Sequence, residues 1–504
     1  MPNHDQHKLV NLFLSAMLLA GLASRNAAAA TACDDLASLA VPETVIASAQ
    51  PIAAGKFAQP GVTGDFASLP AFCRVTATLK PTSDSDIAVE VWMPASGWNG
   101  KFQAVGNGGW AGSINYPALA AALNEGYATA STDTGHQGNG ARFALGHPEK
   151  EIDFGYRAVH EMTVKSKAMI AAFYGRGPRL SYWNGCSNGG RQGLMEAQRY
   201  PADFDGILAG APANYQTHLH AWSLVVGRAV AMDKESLLPT SKFALLYKTV
   251  IQTCDGLDGV KDGLLADPRK CHFDPSVLLC RGGDAENCLT AAQVEAAKKI
   301  YAPAKAANGK LIFPSMEPGS ELGWGALAGG SQPADVALDT FRYLVYKDPN
   351  WDWRTFDLDR DVALADKEDV MDAIQSNMQP FKAHAGKLLM YHGWADQLIA
   401  PENSINFYSR VLETMGPKQD DWVRLFMVPG MQHCRGGPGP NQFDAMSALE
   451  RWREAGIAPD DITAYHVTNN RVDMTRPLCS YPKVAKWNGV GSTNDASNFT
   501  CKNP

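Results

Sequence analysis

The chain has 504 residues, 45% of them hydrophobic and 19% charged, with a formal net charge of −7. That length exceeds one ordinary core and points to two domains, or to one domain carrying a large insertion, and the composition excludes a disordered chain. Charges of both signs are scattered with no long basic run, so a nucleic-acid partner has no electrostatic footprint.

Residues 1–30 read as a secretory signal. His7-Lys8 is followed by the apolar run LVNLFLSAMLLAGLA and then by small residues, SRNAAAATA, that suit a signal peptidase. No later apolar run reaches the ~20 residues that span a bilayer, so the mature chain is expected to be soluble, without a membrane partner, and secreted or periplasmic. Export governs the reading of the cysteines. There are ten, and an even number in an oxidising compartment points to disulfides. Proximity pairs Cys254 with Cys271, Cys280 with Cys288 and Cys479 with Cys501. Cys33 with Cys73 would tie down the N-terminus, which leaves Cys186 and Cys434. No C-x-x-C pair occurs, so a thiolate metal site is a weak reading.

Strands are expected at DIAVEVWMP and KFQAVG, then at GYATASTDTG. FGYRAVHEMTVKSKAMIAAFYG has helical period and stops at Gly175. RLSYWNG is a strand, GRQGLMEAQRYP a helix ended by Pro201, and DGILAGAP a further buried strand. This alternation predicts a parallel α/β sheet. After residue 212 the rhythm fails. Helical segments such as SKFALLYKTVIQTC and TAAQVEAAKKIYA stand among acidic, Gly-rich loops, and the strand pattern returns with GKLLMYHGWAD and WVRLFMVPG. The expected organisation is a sheet domain over 31–212 and 381–504, interrupted by an inserted lid over 213–380.

Gly185-Cys186-Ser187-Asn188-Gly189 matches G-x-S-x-G, set between a predicted strand and a predicted helix. Alone the pattern is weak, and a Gly-rich turn is its bland counterpart. Chain order strengthens it. Asp396 follows the strand KLLMYHG and His433 follows VRLFMVPG, so Ser187, Asp396 and His433 fall in the order of an α/β hydrolase, at strand C-termini where open sheets carry their sites. Serine needs a base to become a nucleophile; His433 would take its proton, and Asp396 would hold the imidazole tautomer. The amide of Asn188 would donate to an oxyanion, with Gly108 or Gly109 of VGNGGWAG as the second donor. If Ser187 and His433 touch, their neighbours Cys186 and Cys434 come close enough to bridge. The cysteine beside the serine is then a strut rather than a rival nucleophile.

On these residues the chain resembles the tannase and feruloyl esterase family, which includes fungal feruloyl esterases, tannases and the hydrolase of mono(hydroxyethyl) terephthalate. Its signature is Cys-Ser, Asp and His-Cys with the two cysteines bridged, matched by Cys186-Ser187, Asp396 and His433-Cys434; GNGGWAG, GHPEKEIDFGYRAVHEMT and FDGILAGAPA extend the likeness along the mature chain. The resemblance implies an α/β-hydrolase fold with a large inserted lid.

CDGLDGVKDGLLADPRKC gathers Asp255, Asp258 and Asp262 in a Gly-rich segment whose bends could turn the carbonyls of Val260 and Leu264 inward. Oxygen donors suit calcium, although the spacing is not that of an EF-hand and a solvated acidic turn is the alternative. The resemblance implies a structural Ca2+ at these positions in the lid. Trp110, Trp324, Trp351, Trp353 and Tyr343 could wall an aromatic pocket or belong to the core, and Arg342 could meet an acidic substrate or a surface partner. His392 reads as a packed, hydrogen-bonded histidine. His136, His147 and His160 lack a carboxylate pattern that suggests a metal.

The expected function is an exported, monomeric serine carboxylic-ester hydrolase that forms an acyl-enzyme on Ser187. Its expected substrates are small esters of aromatic acids, hydroxycinnamates first. Gallate esters and mono(hydroxyethyl) terephthalate are the alternatives on the same plan. A peptidase, or a non-catalytic binding protein on a hydrolase scaffold, are the readings from other classes; an intact triad argues against the binding protein.

Overall fold

The computed structural model describes residues 30–64, 66–368 and 370–504. The signal expected over residues 1–30 lies, but for Ala30, outside them. Among the described residues no helix is long and apolar enough to cross a membrane.

Nine strands form the central sheet: β1 (Thr44–Ile52), β2 (Phe72–Leu79), β3 (Ile87–Pro94), β4 (Lys101–Val105), β5 (Ala128–Thr132), β6 (Leu180–Cys186), β7 (Gly206–Gly210), β8 (Lys387–Gly393) and β9 (Val423–Val428). Their spatial order is β1-β2-β3-β5-β4-β6-β7-β8-β9. The first four in that order pair antiparallel, and from β5 onward every pair is parallel. Parallel strands need crossovers, and helices supply them: α1 (Tyr116–Asn124), α2 (Ala158–Tyr174), α3 (Asn188–Arg199) and α7 (Glu402–Met415). Helix α2 ends at Gly175, whose φ of +70° is the left-handed cap that glycine adopts without strain.

Strand alternation feeds two cores. Trp183, Ile207, Leu388 and Met390 face α2, α3 and α7 in one cluster. Tyr182, Leu208, Leu389 and Phe426 face the opposite way, onto helix α8 (Ala445–Ala455). Both faces are covered, so the inner strands are buried along almost their whole length, as parallel strands in α/β folds are.

Between β7 and β8 the chain builds a separate core. Helix α4 (Gln216–Ala231) runs through it, beside α5 (Thr240–Cys254) and α6 (Ala291–Tyr301). Helix α6 opens with a reciprocal capping box between Thr290 and Gln293. Trp222, Trp324, Trp351 and Trp353 all lie in this second core, while Ala373, Met378 and Phe381 pack back into the sheet's core. After β9, the antiparallel pair Asp461–Thr468 and Arg471–Cys479 and a short C-terminal hairpin close the chain. Five disulfides join Cys33 to Cys73, Cys186 to Cys434, Cys254 to Cys271, Cys280 to Cys288 and Cys479 to Cys501, and there are no free cysteines among the described residues.

Candidate active site

Strand β6 runs into helix α3 through Ser187, which sits at φ 65° and ψ −124°. That region is strained for a residue with a side chain, and it persists only where the surroundings over-determine it. Backbone crowding supplies the determination. The Ser187 amide donates to Gly210 O of β7 at 3.0 Å, and Ser187 O accepts from Arg191 and Ala213 amides at 3.0 and 3.1 Å. A Cβ on Gly185 would meet Gly189 O at 2.4 Å, and one on Gly190 would meet Gly210 O at 2.4 Å. Only glycine lets the strand, turn and helix approach so closely.

His433 and Asp396 arrive from the ends of β9 and β8. His433 Nδ1 lies 2.8 Å from Asp396 Oδ2. Asp396 is fully buried, and its Oδ1 accepts from the amides of Leu398 and Ile399 at 2.8 and 2.9 Å. Burial alone would push its pKa up. The charge of His433 and hydrogen bonds with His392 and His433 outweigh that and hold the carboxyl well below the usual carboxylate range. For His433, burial lowers the pKa, but the charge and hydrogen bond of Asp396 raise it above the ordinary histidine value. His392 is packed beneath this pair. Its Nε2 lies 3.1 Å from Asp396 Oδ2 and 3.0 Å from Ile399 O, and its Nδ1 is 2.7 Å from Ser404 Oγ. It fixes the buried carboxylate that orients His433.

The bridge between Cys186 and Cys434 has its Cα atoms 6.0 Å apart, so the residues beside them, Ser187 and His433, sit on neighbouring loops. Cys434, like Ser187, has a positive φ, of 62°. Ser187, Asn188, Gly108, Gly109 and His433 all line one cavity of about 700 Å³, a volume suited to a small organic ligand. Gly108 and Gly109 have open space where a Cβ would stand. Their loop is pinned to α3 by Gln192, whose Nε2 donates to Asn107 Oδ1 at 2.8 Å. Arg191, fully buried, donates to Asn188 Oδ1 at 2.7 Å and to the carbonyls of Gly155 and Met371, tying the turn of Ser187 to the segment that returns from the second core. Sequence reasoning missed Arg191, Gln192 and the link from His392 to Asp396, since each acts across elements distant in the chain or around a tight turn.

Of the two readings of the aromatics, pocket wall or core, the described residues give the core. Trp324, Trp351 and Trp353 belong to the second core, and Trp110 packs with Phe154 and Leu344, with Tyr343 against that cluster. Nor does Arg342 reach the cavity. The lining beyond the Ser187 and His433 loops comes from the 106–109 loop, Asn115 and Ala118, the cavity-facing side of α4, and aliphatic side chains such as Leu327 and Val336.

Outside the cavity, the acidic loop holds Asp255, Asp258 and Asp262 between the bridged Cys254 and Cys271. Asp255 Oδ1 accepts from the amides of Asp262 and Gly263, Asp258 Oδ1 from Val260, and Asp262 Oδ1 from Leu264. Burial raises the pKa of Asp258, and repulsion from Asp262 and Asp255 adds to it. Arg476 pairs with Asp262 at 2.7 Å, with both side chains buried. His160, set aside on sequence, gains carboxylates from elsewhere in the chain. Its donor atom and those of Glu196 and Asp203 lie within 4.8 Å of one another, close enough to share a metal ion. His160 Nδ1 is 2.7 Å from Asp203, and buried Glu196 is pushed well above its ordinary value by burial and by Asp203. Lys167, beside the cluster, donates to Asp203 O and competes with a cation for that ground.

A carboxylate–histidine pair on a cavity beside a serine at a strained strand–helix turn is the arrangement of an α/β-hydrolase. Residues 73–502 match the family model for tannase and feruloyl esterase, and the chain belongs to that family. It is 37% identical to an uncharacterized esterase of Xanthomonas campestris pv. campestris, over 98% of this chain and 95% of the relative. Among solved structures, an esterase from Aspergillus oryzae superposes with a TM-score of 0.89 at 33% identity, covering 93% of this chain and 99% of that one. Feruloyl esterase B from Aspergillus oryzae superposes with a TM-score of 0.88 at 32% identity and the same coverage.

Proposed function

We propose that this chain hydrolyses esters of hydroxylated aromatic acids, of the feruloyl type, through an acyl-enzyme on Ser187. The observation that carries the catalytic half is the 2.8 Å contact between His433 Nδ1 and buried Asp396, with His433 and Ser187 lining the same cavity. Likeness to feruloyl esterase B over nearly the whole chain supports the acid half.

His433 Nε2 takes the Ser187 Oγ proton as the oxygen attacks the ester carbonyl. The carbonyl oxygen becomes an oxyanion, to which the amides of Asn188 and of Gly108 or Gly109 donate. Collapse expels the alcohol, which leaves with the proton held on His433. A water then gives its proton to His433 and attacks the acyl carbon, and Ser187 leaves with that proton. Asp396 stays ionised throughout, holding the imidazole's tautomer and balancing its transient charge.

The donor chemistry of the acidic loop, three carboxylates with the carbonyls of Val260 and Leu264, supports a calcium ion there, in competition with Arg476, which pairs with Asp262. Bound there, the metal would supply structural stability to the lid, 213–380, and no chemistry. Export, to the periplasm or beyond, is supported by five disulfides and the leader-like sequence of residues 1–30.

The test is a hydrolysis panel on purified mature protein: methyl ferulate, methyl gallate, mono(hydroxyethyl) terephthalate and p-nitrophenyl acetate. A preference for methyl ferulate is expected, together with loss of labelling by a serine-reactive phosphonate in Ser187→Ala. Labelling that persists in that variant overturns the nucleophile, and turnover of the acetate alone overturns the aromatic acid.

A further inference from the structure

Helix α4 supplies one wall of the cavity, with polar groups of its own. It begins just after Ala213, whose amide donates to Ser187 O, so its register is tied to the turn of the serine. Gln216, Leu219, His220 and Ser223 follow the i, i+3, i+4, i+7 spacing of one helical face, a strip ~10 Å long, and all four line the cavity. The flanks of the strip, with Trp222, Leu224 and Val226, are buried in the second core. Leu327 and Val336 add apolar surface to the cavity side.

Two polar groups on this strip lack the partners that buried groups ordinarily have. Gln216 is 3% exposed, and neither end of its amide is hydrogen-bonded among the described residues; Oε1 is sealed and unpaired. His220 is 5% exposed, and its Nδ1 lies 2.5 Å from Thr340 Oγ1, while Nε2 has no partner among the described residues. Burial, with the charge of Arg191 second, pushes the imidazole's pKa down to about 3, so it is neutral wherever the enzyme would work. Assigning the ring proton to Nδ1, where it donates to Thr340 Oγ1, leaves Nε2 as an acceptor.

We propose that Gln216 and His220 form a subsite that reads a ring hydroxyl on the acyl group, with Leu219, Leu327 and Val336 gripping the ring. This rests on the reading of the substrate as an aromatic-acid ester. A phenol is both donor and acceptor, so its hydroxyl can donate to His220 Nε2 and accept from the Gln216 amide. A bare ring leaves both groups unpaired, as they are now. A ring carboxylate is an acceptor only, and it would be buried against a neutral imidazole. Apart from histidines, the one basic side chain among the described residues lining the cavity is Arg435, and it is carried by the His433 loop rather than by α4. The subsite therefore selects hydroxylated acyl rings over both unsubstituted and carboxylated ones.

Methyl 4-coumarate and methyl cinnamate differ by that one hydroxyl. The wild-type ratio of their kcat/KM values is expected to favour the coumarate on the order of 10- to 100-fold, because a site built to hydrogen-bond a hydroxyl rejects the analogue that lacks it. Gln216→Leu and His220→Leu should each lower that ratio several-fold, and the double variant should bring it near one. Melting curves show whether the variants fold. A measurement that needs no variant is inhibition of wild-type p-nitrophenyl acetate hydrolysis by 4-coumaric and cinnamic acids, in which the hydroxylated acid should bind at least about tenfold more tightly. Turnover of both methyl esters with a ratio near one in the wild type overturns the subsite and leaves the aromatic-ester reading standing, as does an unchanged ratio in both folded variants. Turnover of neither ester removes the hydroxycinnamate reading on which the subsite rests, and the subsite with it.

Discussion

The two walls of the cavity are held by different physics. On the Ser187 and His433 side, position is fixed by backbone: glycines that admit no Cβ, amides that clamp the Ser187 carbonyl, a disulfide joining the adjacent residues, and a carboxylate sealed under His392. On the α4 side, position is fixed by side chains packed into a second core, and the groups that face the cavity are left partly unpaired. The first wall tolerates almost no change of residue type. The second can exchange side chains at a few helical positions without disturbing the turn. Reaction and selectivity can therefore vary independently, which is how one fold serves esters of different acids.

The largest effect should come from the buried carboxylate. Asp396→Asn keeps the volume and removes the charge that orients His433, so kcat should fall about 10,000-fold. The pH profile gives a second reading. In the proposed mechanism the base is the neutral His433 imidazole, and Asp396 raises its pKa, so wild-type kcat/KM should fall as pH drops, with its half-point above the ordinary histidine value near 6.5. Without that charge, the limb of the residual activity should move to lower pH. A half-point that stays put in the variant would mean that another group sets the limb.

The same contrast explains how much of the molecule was legible in its sequence. The β/α alternation, the G-x-S-x-G turn and the order of Ser187, Asp396 and His433 are local patterns set by backbone geometry, and they can be read one segment at a time. The substrate-facing wall was less legible. Trp110, Trp324, Trp351, Trp353 and Tyr343 could have walled a pocket or filled a core; they belong to cores, where large rings gain most from burial. The helical spacing of Gln216 and His220 was present in the sequence, but which face of α4 met the cavity depended on packing from segments ~100 residues away, such as Thr340. His160 looked solitary because Glu196 and Asp203 reach it from a different helix and loop.

Removing the strut tests whether the first wall depends on its covalent link. The bridge between Cys186 and Cys434 closes a separation of 248 residues. Loss of a native disulfide of this kind costs about 2–5 kcal/mol. The double variant Cys186→Ala/Cys434→Ala should show a lowered melting temperature and a reduced kcat, since Ser187 and Cys434 hold strained backbone that the link helps to maintain. Unchanged melting and full turnover would show that the glycine packing alone suffices. Loss of activity with unchanged melting would confine the strut to alignment.

The smallest effect is expected at the acidic loop, and its value lies in leaving the chemistry almost untouched. If calcium occupies the acidic loop, excess chelator should remove about 3 kcal/mol, the stabilisation given by a ligand at 100 times its Kd. That corresponds to several degrees of melting temperature. Because Asp262 pairs with Arg476 of the strand Arg471–Cys479, the loss should propagate to the C-terminal strands rather than to the Ser187 turn. Initial rates at moderate temperature should change less than twofold, and Asp258→Asn should reproduce the lowered melting temperature without further loss on chelation. Hydrogen exchange separates the outcomes. Deprotection confined to the acidic loop and the strand Arg471–Cys479 supports a metal that holds the lid, deprotection at Ser187 and His433 would mean that the two walls are coupled, and no change together with an absence of calcium by elemental analysis would leave Arg476 and the bridge between Cys254 and Cys271 as what holds the loop.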